Sequence, residues 1–240
     1  MKKLSKKSWC IIGICALCAT LVAAVAVYFF HIRPIQQQQA DHAEFVRQYR
    51  EQKREIYRQE NEKFADYEVD VAFLGDSLTD GYDVAKYYPQ YVTANRGIGG
   101  DTTFDLEGRL QISAYDLKPK VVVMLIGANN ASTMLQNYEA ILKGLQENLP
   151  QTKVVLLSMT AMGGEHWGKL NAQAAYNNVS IKLLAEKYGF AFVDLFTPLY
   201  DVSTGEVYEG LTVDGGHFSP EGYELLTKLI TPTLEDLLGK

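Results

Sequence analysis

The chain has 240 residues and a formal net charge of −6 at pH 7. An acidic chain has no basic excess with which to neutralise phosphates, which argues against nucleic acid as its main partner. The cysteines, Cys10, Cys15 and Cys18, all lie in an apolar N-terminal stretch, so the rest of the chain contains neither a disulfide nor a cysteine-ligated metal site.

The N-terminus is predicted to be a single-pass membrane anchor. Four lysines within residues 1–8 precede an uncharged run over residues 9–30. As a helix this run would span roughly 33 Å at about 1.5 Å per residue, and a bilayer core is about 30 Å thick. The lysines favour a cytoplasmic tail over residues 1–8, an anchor over residues 9–32 and an extracytoplasmic location for everything that follows.

Three other interpretations of this run stay open. Ala24-Val25-Ala26 offers a signal-peptide cleavage site, which would give a secreted protein, although the apolar region is long for that type. A lipid-modified Cys18 is disfavoured by the bulky Leu17 before it. A buried core helix is disfavoured by the lysines and by the polar stretch that follows.

Residues 33–67 are predicted to form a helical stalk or linker. The stretch over residues 41–64 is charged, lacks glycine and proline, and carries one weak apolar stripe at roughly helical spacing. The members of the stripe are Phe45, Tyr49, Ile56, Tyr57 and Phe64. A spacer or dimerising coil is one interpretation. Because heptads are not sustained, a solvated helix that leans on its own domain is favoured, and the oligomeric state stays unknown.

Residues 68–240 are predicted to form one α/β domain, because short apolar runs alternate there with helical patterns. Strands are predicted over residues 69–74, 91–95, 121–126, 154–158 and 190–194, and helices over residues 103–115, 134–148 and 170–188. Ser219 and Pro220 open a last helix as cap and first residue. This alternation predicts a parallel sheet with helices on both faces, with reactive groups at the carboxyl ends of the strands.

A candidate nucleophile follows the first predicted strand, in the sequence Gly75-Asp76-Ser77-Leu78. A serine on a sharp strand-to-helix turn exposes its hydroxyl, but it is a weak nucleophile until a base takes its proton. On this sequence alone, a turn in which Asp76 and Ser77 cap the next helix is the favoured interpretation.

A candidate base lies just before the last helix, in Asp214-Gly215-Gly216-His217. An aspartate three residues before a histidine can reach its Nδ1 within a tight turn and hold Nε2 toward a nucleophile. The glycines allow the backbone to turn this tightly. A surface Asp-Gly turn with an incidental histidine is an equally good interpretation of these four residues alone.

A second histidine, His166, lies with Trp167 in a glycine-rich loop after the fourth predicted strand. Both are candidates for substrate contact, and an ordinary surface loop is the alternative.

Acyl transfer also needs donors for the developing oxyanion. The glycine-rich segment over residues 95–101 follows the second predicted strand and could offer a backbone N–H, and Asn129 follows the third and could offer its amide. A plain turn and a helix cap are the alternatives. The glycine spacing fits neither a dinucleotide-binding fingerprint nor a phosphate-binding loop.

Taken in order, these segments resemble the four sequence blocks of the SGNH (GDSL-type) hydrolase family, over about residues 69–238. The block around Ser77 is similar to the GDSL block. Gly100 matches the glycine of the second block and Asn129 the asparagine of the third. Asp214 and His217 match the closing D-x-x-H block. The third block usually ends in Asp, where this chain has Asn130, a variant that looks like platelet-activating-factor-acetylhydrolase-like members.

The resemblance implies a three-layer sandwich around a five-stranded, flavodoxin-like parallel sheet. It implies a Ser77–His217–Asp214 triad, an oxyanion hole formed by the N–H groups of Ser77 and Gly100 with the Asn129 side chain, and no need for a metal or cofactor. Asp76 and Asn130 join His166 and Trp167 as candidates for substrate contact. The replacement of Asp by Asn130 leaves open how Asn129 is positioned.

Three functions are compatible with this resemblance. The first is an O-acetylesterase acting on carbohydrate or cell-envelope esters, the second is a lysophospholipase or short-chain lipid esterase, and the third is a non-catalytic binding module. The complete triad argues against the third. Short polar segments such as Thr204-Gly205-Glu206 favour a small acyl group on a polar carrier. Four aromatic residues are candidates for stacking on sugar rings or for packing in the core: Tyr82, Tyr87, Tyr88 and Trp167.

Overall fold

The computed structural model describes residues 5–239, without the side chains of residues 6, 8, 10–16, 18 and 19. By its internal contacts the chain divides into two units, Met1–Gln52 and Lys53–Lys240.

The first unit is helical where it is described. Helix α1 spans Lys6–Val27, a π-helical turn spans Tyr28–Ile32, and helix α2 begins at Arg33 and ends at Asn61 in the second unit. No helix in the described part of the chain is both long enough and apolar enough to cross a membrane. The transmembrane helix predicted over residues 9–32 is therefore not confirmed, and the side chains of much of its apolar run, as well as Lys2 and Lys3, lie outside the described residues.

The second unit contains a five-stranded parallel sheet. Its strands are β1 Val71–Gly75, β2 Thr93–Gly97, β3 Val121–Leu125, β4 Lys153–Leu157 and β5 Ala191–Val193. Their order is β2-β1-β3-β4-β5, and every neighbouring pair is parallel. This is the flavodoxin-like order, which confirms the predicted α/β sheet. A small antiparallel hairpin, β6 Tyr200–Asp201 and β7 Glu206–Val207, lies outside the sheet and was not predicted.

Helices connect and cover these strands. They are α3 Ser77–Asp80, α4 Val84–Tyr87, α5 Thr103–Glu107, α6 Leu135–Asn148, α7 Gly164–Trp167, α8 Asn171–Tyr188, α9 Phe196–Leu199 and α10 Pro220–Leu238. Short turns of other helix types occupy Gln111–Tyr115, Ala128–Asn130 and Gly168–Leu170. The single helix predicted over residues 103–115 is thus interrupted after Glu107, where Gly108 ends α5.

Two hydrophobic clusters lie on opposite faces of the sheet, because successive strand side chains alternate between faces. Leu74 and Met124 face one cluster, which includes Leu145 of α6 and Ile181 of α8. On the other face, Phe73 and Val123 pack in a cluster with Leu226 and Ile230 of α10. The predicted three-layer arrangement follows from this alternation.

Aromatic residues that were candidates for sugar stacking take part in this packing. Tyr82 and Tyr88 are 4% and 0% exposed and contact each other and Phe73. They are core residues, with no face available to a ligand. Tyr57, near the end of α2, is also buried, so this part of α2 packs on the domain that follows it.

Candidate active site

The turn after β1 presents Ser77 at the carboxyl end of the sheet. Asp76 caps α3 by accepting a hydrogen bond from the Leu78 N–H at 3.1 Å. A Cβ on Gly75 would lie 2.1 Å from Thr79 Oγ1 and 2.2 Å from the Leu125 carbonyl oxygen, so only glycine fits this approach. The result is a tight strand-to-helix turn that leaves Ser77 half-buried at the first position of α3.

Ser77, His217 and Asp214 are brought together across the sheet end. His217 Nε2 lies 3.0 Å from Ser77 Oγ, and His217 Nδ1 lies 2.8 Å from Asp214 Oδ2. The other carboxylate oxygen of Asp214 accepts the N–H groups of Gly216 and His217 at 2.9 and 2.7 Å. Gly215 has a φ of +87°, which permits this tight turn. Ser77 and His217 are joined only by tertiary structure, since 140 positions separate them.

The charge of Asp214 is set by its own loop. Burial raises the pKa of this carboxyl, but hydrogen bonds from the His217 N–H, the His217 ring and the Gly216 N–H outweigh that effect and lower the pKa to about 2. Asp214 is therefore a carboxylate at neutral pH and accepts the proton on Nδ1. The imidazole then has its Nε2 lone pair directed at Ser77 Oγ, as a general base requires.

Trp167 forms a wall next to His217. Its ring centroid lies 5.8 Å from that of His217 in an edge-to-face arrangement. A Cβ on Gly216 would lie 2.7 Å from the indole, and the Gly163 N–H donates to the Gly215 carbonyl oxygen at 2.8 Å. The two glycine-rich loops are therefore packed against each other.

His166 is exposed. Its ring centroid lies 4.8 Å from that of Trp167, the other candidate for substrate contact in the same loop. Trp167, and not His166, is the member of this pair that borders His217.

The two candidate oxyanion loops contact each other. The Asp101 N–H donates to the Ile98 carbonyl oxygen at 3.1 Å, which closes a turn that includes Gly100 at a φ of +77°. Asn129 Nδ2 donates to the Asp101 carbonyl oxygen at 3.0 Å. Because a primary amide carries two N–H groups, this bond orients Asn129 and leaves its second N–H for another acceptor.

Asn130, which replaces the usual aspartate of the third block, connects the loop after β3 to helix α5. Its Oδ1 accepts the Thr103 N–H at 3.2 Å and its Nδ2 donates to Thr103 Oγ1 at 2.9 Å. This pair of bonds attaches Asn130 to Thr103, while Asn129 itself is oriented by its bond to the Asp101 carbonyl oxygen. The side chain of Asn130 therefore connects the loop after β3 to helix α5.

Asp76 is buried, at 1% exposure. Burial raises the pKa of its carboxyl to about 6, against the opposing effect of the Leu78 N–H, with a further increase from nearby Asp101 and a decrease from the Gly127 N–H. The carboxylate thus joins the turn after β1 to the loop after β3. With so little surface, Asp76 supports the site from within, and its contact with a substrate stays a prediction.

Arg109 is a supporting residue that sequence reasoning missed. It is 2% exposed and pairs with buried Asp101 at 2.6 Å. It also donates to the carbonyl oxygens of Gly75 and Arg96, each at 2.9 Å, and to Ser113 Oγ at 2.7 Å. One guanidinium therefore fixes the ends of both β1 and β2. No local signal identifies it, because an arginine in a helical pattern is usually solvated.

No group of three or more His, Cys, Asp or Glu residues that could hold a metal ion is found in the described part of the chain.

Comparisons with known proteins find similar sequences. A sequence model of the GDSL-like Lipase/Acylhydrolase family matches residues 73–225. Platelet-activating factor acetylhydrolase IB subunit alpha2 of Homo sapiens is 28% identical over 192 residues, which cover 71% of this chain and 82% of that protein.

Solved structures agree as well. A Streptococcus pneumonia protein provisionally assigned as a platelet activating factor has a TM-score of 0.73 at 26% identity and covers 84% of this chain and 99% of its own. An acetyl xylan esterase variant from Geobacillus stearothermophilus has a TM-score of 0.58 at 21% identity, over 70% and 95% of the two chains.

Proposed function

The chain belongs to the GDSL-like lipase/acylhydrolase family and is a carboxylic ester hydrolase, and we propose that it removes O-acetyl groups from carbohydrate or cell-envelope esters. The observation that carries the proposal is the hydrogen-bonded series from Ser77 through His217 to Asp214, with distances of 3.0 and 2.8 Å. This series is the arrangement that activates a serine hydroxyl.

In the proposed reaction, Ser77 Oγ attacks the ester carbonyl carbon while its proton passes to His217 Nε2. The resulting imidazolium then protonates the departing alkoxide, and an acyl-enzyme on Ser77 remains. Water then attacks the acyl carbonyl carbon and gives its proton to His217, which returns it to Ser77 Oγ as the acid is released. Asp214 stays a carboxylate throughout and stabilises the imidazolium.

The developing oxyanion is proposed to accept hydrogen bonds from the N–H groups of Ser77 and Gly100 and from the second N–H of Asn129. Donors of this kind act best when they are fixed before the reaction begins. The bond from Asn129 to the Asp101 carbonyl oxygen supplies such fixation on one side.

A small cavity beside the turn that carries Ser77 is proposed to receive the acyl group. A cavity of about 10 Å³ lies against both neighbours of Ser77 in sequence, Asp76 and Leu78. Its other lining residues are mostly apolar: Leu125, Ile126, Ala128, Met159, Thr160 and Met162. Such a volume holds about one water-sized group, so it suits a methyl group and not a long acyl chain.

A second cleft, which begins beside Asp214, favours a polar carrier. A cleft of about 340 Å³ begins at Gly215, next to Asp214, and extends along the β6–β7 hairpin. Asp201, Glu206 and Tyr208 line it and offer hydrogen-bonding groups suited to sugar hydroxyls. The names of the relatives, an acetylhydrolase and an acetyl xylan esterase, support the same choice of an acetyl ester.

The test is hydrolysis of p-nitrophenyl esters with acyl chains of two to twelve carbons, together with acetylated sugars. The proposal expects the highest kcat/KM for acetyl and release of acetate from the sugars. Ser77→Ala should fold normally and lose nearly all of both activities. A folded Ser77→Ala enzyme with half of the wild-type turnover would end the proposal for the triad.

The lysophospholipase or short-chain lipid esterase alternative makes the opposite prediction. Each buried methylene would add about 0.8 kcal/mol if an apolar lining for the acyl chain existed. A steady rise of kcat/KM with chain length would therefore replace the O-acetylesterase proposal with that alternative.

We also propose that the catalytic domain lies outside the cytoplasm, held by the N-terminal segment. The support is the sequence pattern, four lysines before an uncharged run over residues 9–30. Protease added to intact cells should remove the domain and leave a short membrane-bound fragment. Full protection until lysis would reject this location, and a mature chain that begins after Ala26 and is released from cells would show secretion instead.

A further inference from the structure

The end of helix α2 packs beside strand β2 and lies before the residues that match the family. The Tyr57 hydroxyl donates to the Gly97 carbonyl oxygen, and Tyr57 is 2% exposed. Arg96, which is fully buried, pairs with Glu60 and has its guanidinium 4.7 Å from the Tyr57 ring centroid. Residues 53–61 are thus an integral part of the catalytic domain at the edge where β2 ends.

The same helix end reaches the candidate oxyanion loop through a relay of polar contacts. Lys53 Nζ lies 2.7 Å from Asp80 Oδ1, and these side chains are only 23% and 15% exposed. The other oxygen of that carboxylate, Asp80 Oδ2, accepts the Gly99 N–H at 3.0 Å. Gly99 immediately precedes Gly100, and Asp80 is the last residue of α3, the helix that Ser77 begins.

The oxyanion loop needs such a restraint because of its composition. Gly99 and Gly100 occupy the two central positions of the turn closed by the hydrogen bond from the Asp101 N–H to the Ile98 carbonyl oxygen. Glycines have more backbone freedom than any other residue, and rotation of the peptide between them converts one turn type into another. Such a rotation would turn the Gly100 N–H away from the reacting carbonyl.

We propose that Lys53 is a positioning residue for the hydrolysis reaction. It holds the Asp80 carboxylate against the Gly99 N–H, and this contact fixes the Ile98–Gly99 peptide, the neighbour of the peptide that carries the Gly100 N–H. The inference rests on the proposed function, because it requires Gly100 to be an oxyanion donor. Lys53 itself touches neither Ser77 nor the substrate in this scheme, so its effect should fall on turnover and not on binding.

The experiment compares three variants of the full chain with p-nitrophenyl acetate as substrate. Lys53→Met keeps most of the apolar stem and removes the charge, and Lys53→Arg keeps the charge. The matched control is Lys120→Met, because Lys120 also pairs with an aspartate, Asp70, at 2.7 Å but lies before β3, at the far end of the sheet from Ser77.

Lys53→Met should lower kcat about tenfold, less than the 10²–10³ that removal of an oxyanion donor costs, with KM changed by less than about twofold. Lys53→Arg should restore most of the lost turnover. Lys120→Met should keep the wild-type kcat. A kcat for Lys53→Met equal to that of Lys120→Met, or a rise in KM alone, overturns the proposal.

Amide hydrogen exchange at Gly99 provides a readout that does not depend on activity. It should be faster in Lys53→Met than in the wild-type chain and unchanged in Lys120→Met. Wild-type exchange at Gly99 in Lys53→Met overturns the inference even if activity falls. Failure of the proposed function is recognised separately, by a Ser77→Ala enzyme that still hydrolyses the ester.

Discussion

The two sides of the candidate site are held by different kinds of contact. On the triad side, formed by Asp214 and His217, the hydrogen bonds of the Asp214 carboxylate join residues at most three positions apart, and the two side chains are 47% and 40% exposed. On the oxyanion side, formed by Gly100 and Asn129, the supporting side chains are buried and distant in sequence, with Asp76 at 1% and Arg109 at 2% exposure. Changes on the triad side should therefore alter rate alone, whereas changes on the oxyanion side should alter rate and stability together.

The largest effect is expected from the triad side. His217→Ala should lower kcat by about 10⁴-fold or more, and the double variant with Asp214→Ala should be little worse, because triad residues act as a unit. Thermal unfolding should shift little, since both side chains are exposed. Kinetics and melting curves of the two single variants and the double variant measure this. Fully multiplicative losses in kcat would contradict a shared role.

On the oxyanion side, Arg109→Met should mainly lower stability. It leaves the Asp101 carboxylate buried without its cation, which typically costs 3–5 kcal/mol, so the free energy of unfolding should fall by about 4 kcal/mol in denaturant titrations. The matched control is Arg58→Met, because Arg58 pairs with Glu55 on the surface, at 45% and 54% exposure, and should cost less than about 1 kcal/mol. Equal losses in the free energy of unfolding in the two variants would contradict the conclusion that buried contacts hold the oxyanion side.

Asn129→Ala tests the oxyanion donor directly. Removal of one such donor typically costs about 10²–10³ in kcat with little change in KM. The exposed Asn148, which donates to the Gly144 carbonyl oxygen of its own helix, supplies a control, and Asn148→Ala should have wild-type kinetics. If KM rises in Asn129→Ala while kcat stays unchanged, Asn129 binds the substrate and not the oxyanion.

The pH dependence of stability should differ between the buried carboxyl of Asp76 and the exposed carboxyl of Asp214. The folded pKa of Asp76, about 6, lies above its ordinary value of 3.8, so the folded state holds this proton more tightly. Its contribution to stability is fully present below pH 3.8 and is lost as the pH rises through about 6. The wild-type chain should lose about 3 kcal/mol across this window relative to Asp76→Asn.

Denaturant titrations at pH 4 and pH 7 measure this change. Asp214 has the opposite sign, with a pKa lowered to about 2, so its own contribution is nearly constant between these pH values, and Asp214→Asn, which keeps Asp76, should lose stability as the wild-type chain does. A wild-type-like pH dependence in Asp76→Asn would assign the effect to another group.

The smallest effect is expected from the polar cleft beside the triad side. Tyr208 is 47% exposed there, and an exposed hydroxyl bond contributes about 1 kcal/mol. Tyr208→Ala should therefore raise KM for an acetylated sugar several-fold and leave kinetics with p-nitrophenyl acetate unchanged. Equal effects on both substrates would show that the cleft does not recognise the carrier.

Much of the triad side could be predicted from the sequence because its contacts are local. An aspartate three residues before a histidine, with glycines between them, can form only a few geometries, and the structure places Asp214 within 2.8 Å of His217 Nδ1. The catalytic roles of these residues stay predictions, as does the membrane anchor over residues 9–32.

The oxyanion side was harder to predict from the sequence, because its supporting residues have no local pattern. Nothing around Arg109 in the sequence indicates that its guanidinium meets Gly75, and nothing around Lys53 indicates that it meets Asp80. The tyrosines at positions 82 and 88 offered two interpretations, and burial on the sheet decided between them.

The sequence by itself determined the alternation of five strands with helices and the placement of the reactive residues after strand ends, because both depend on periodicities of a few residues. Tertiary structure alone decided which buried charges meet, how the loops after β1, β2 and β3 are tied to one another, and that the end of α2 belongs to the catalytic domain. These contacts join residues tens of positions apart, and their partners are selected by packing in three dimensions, a property that no short stretch of sequence contains.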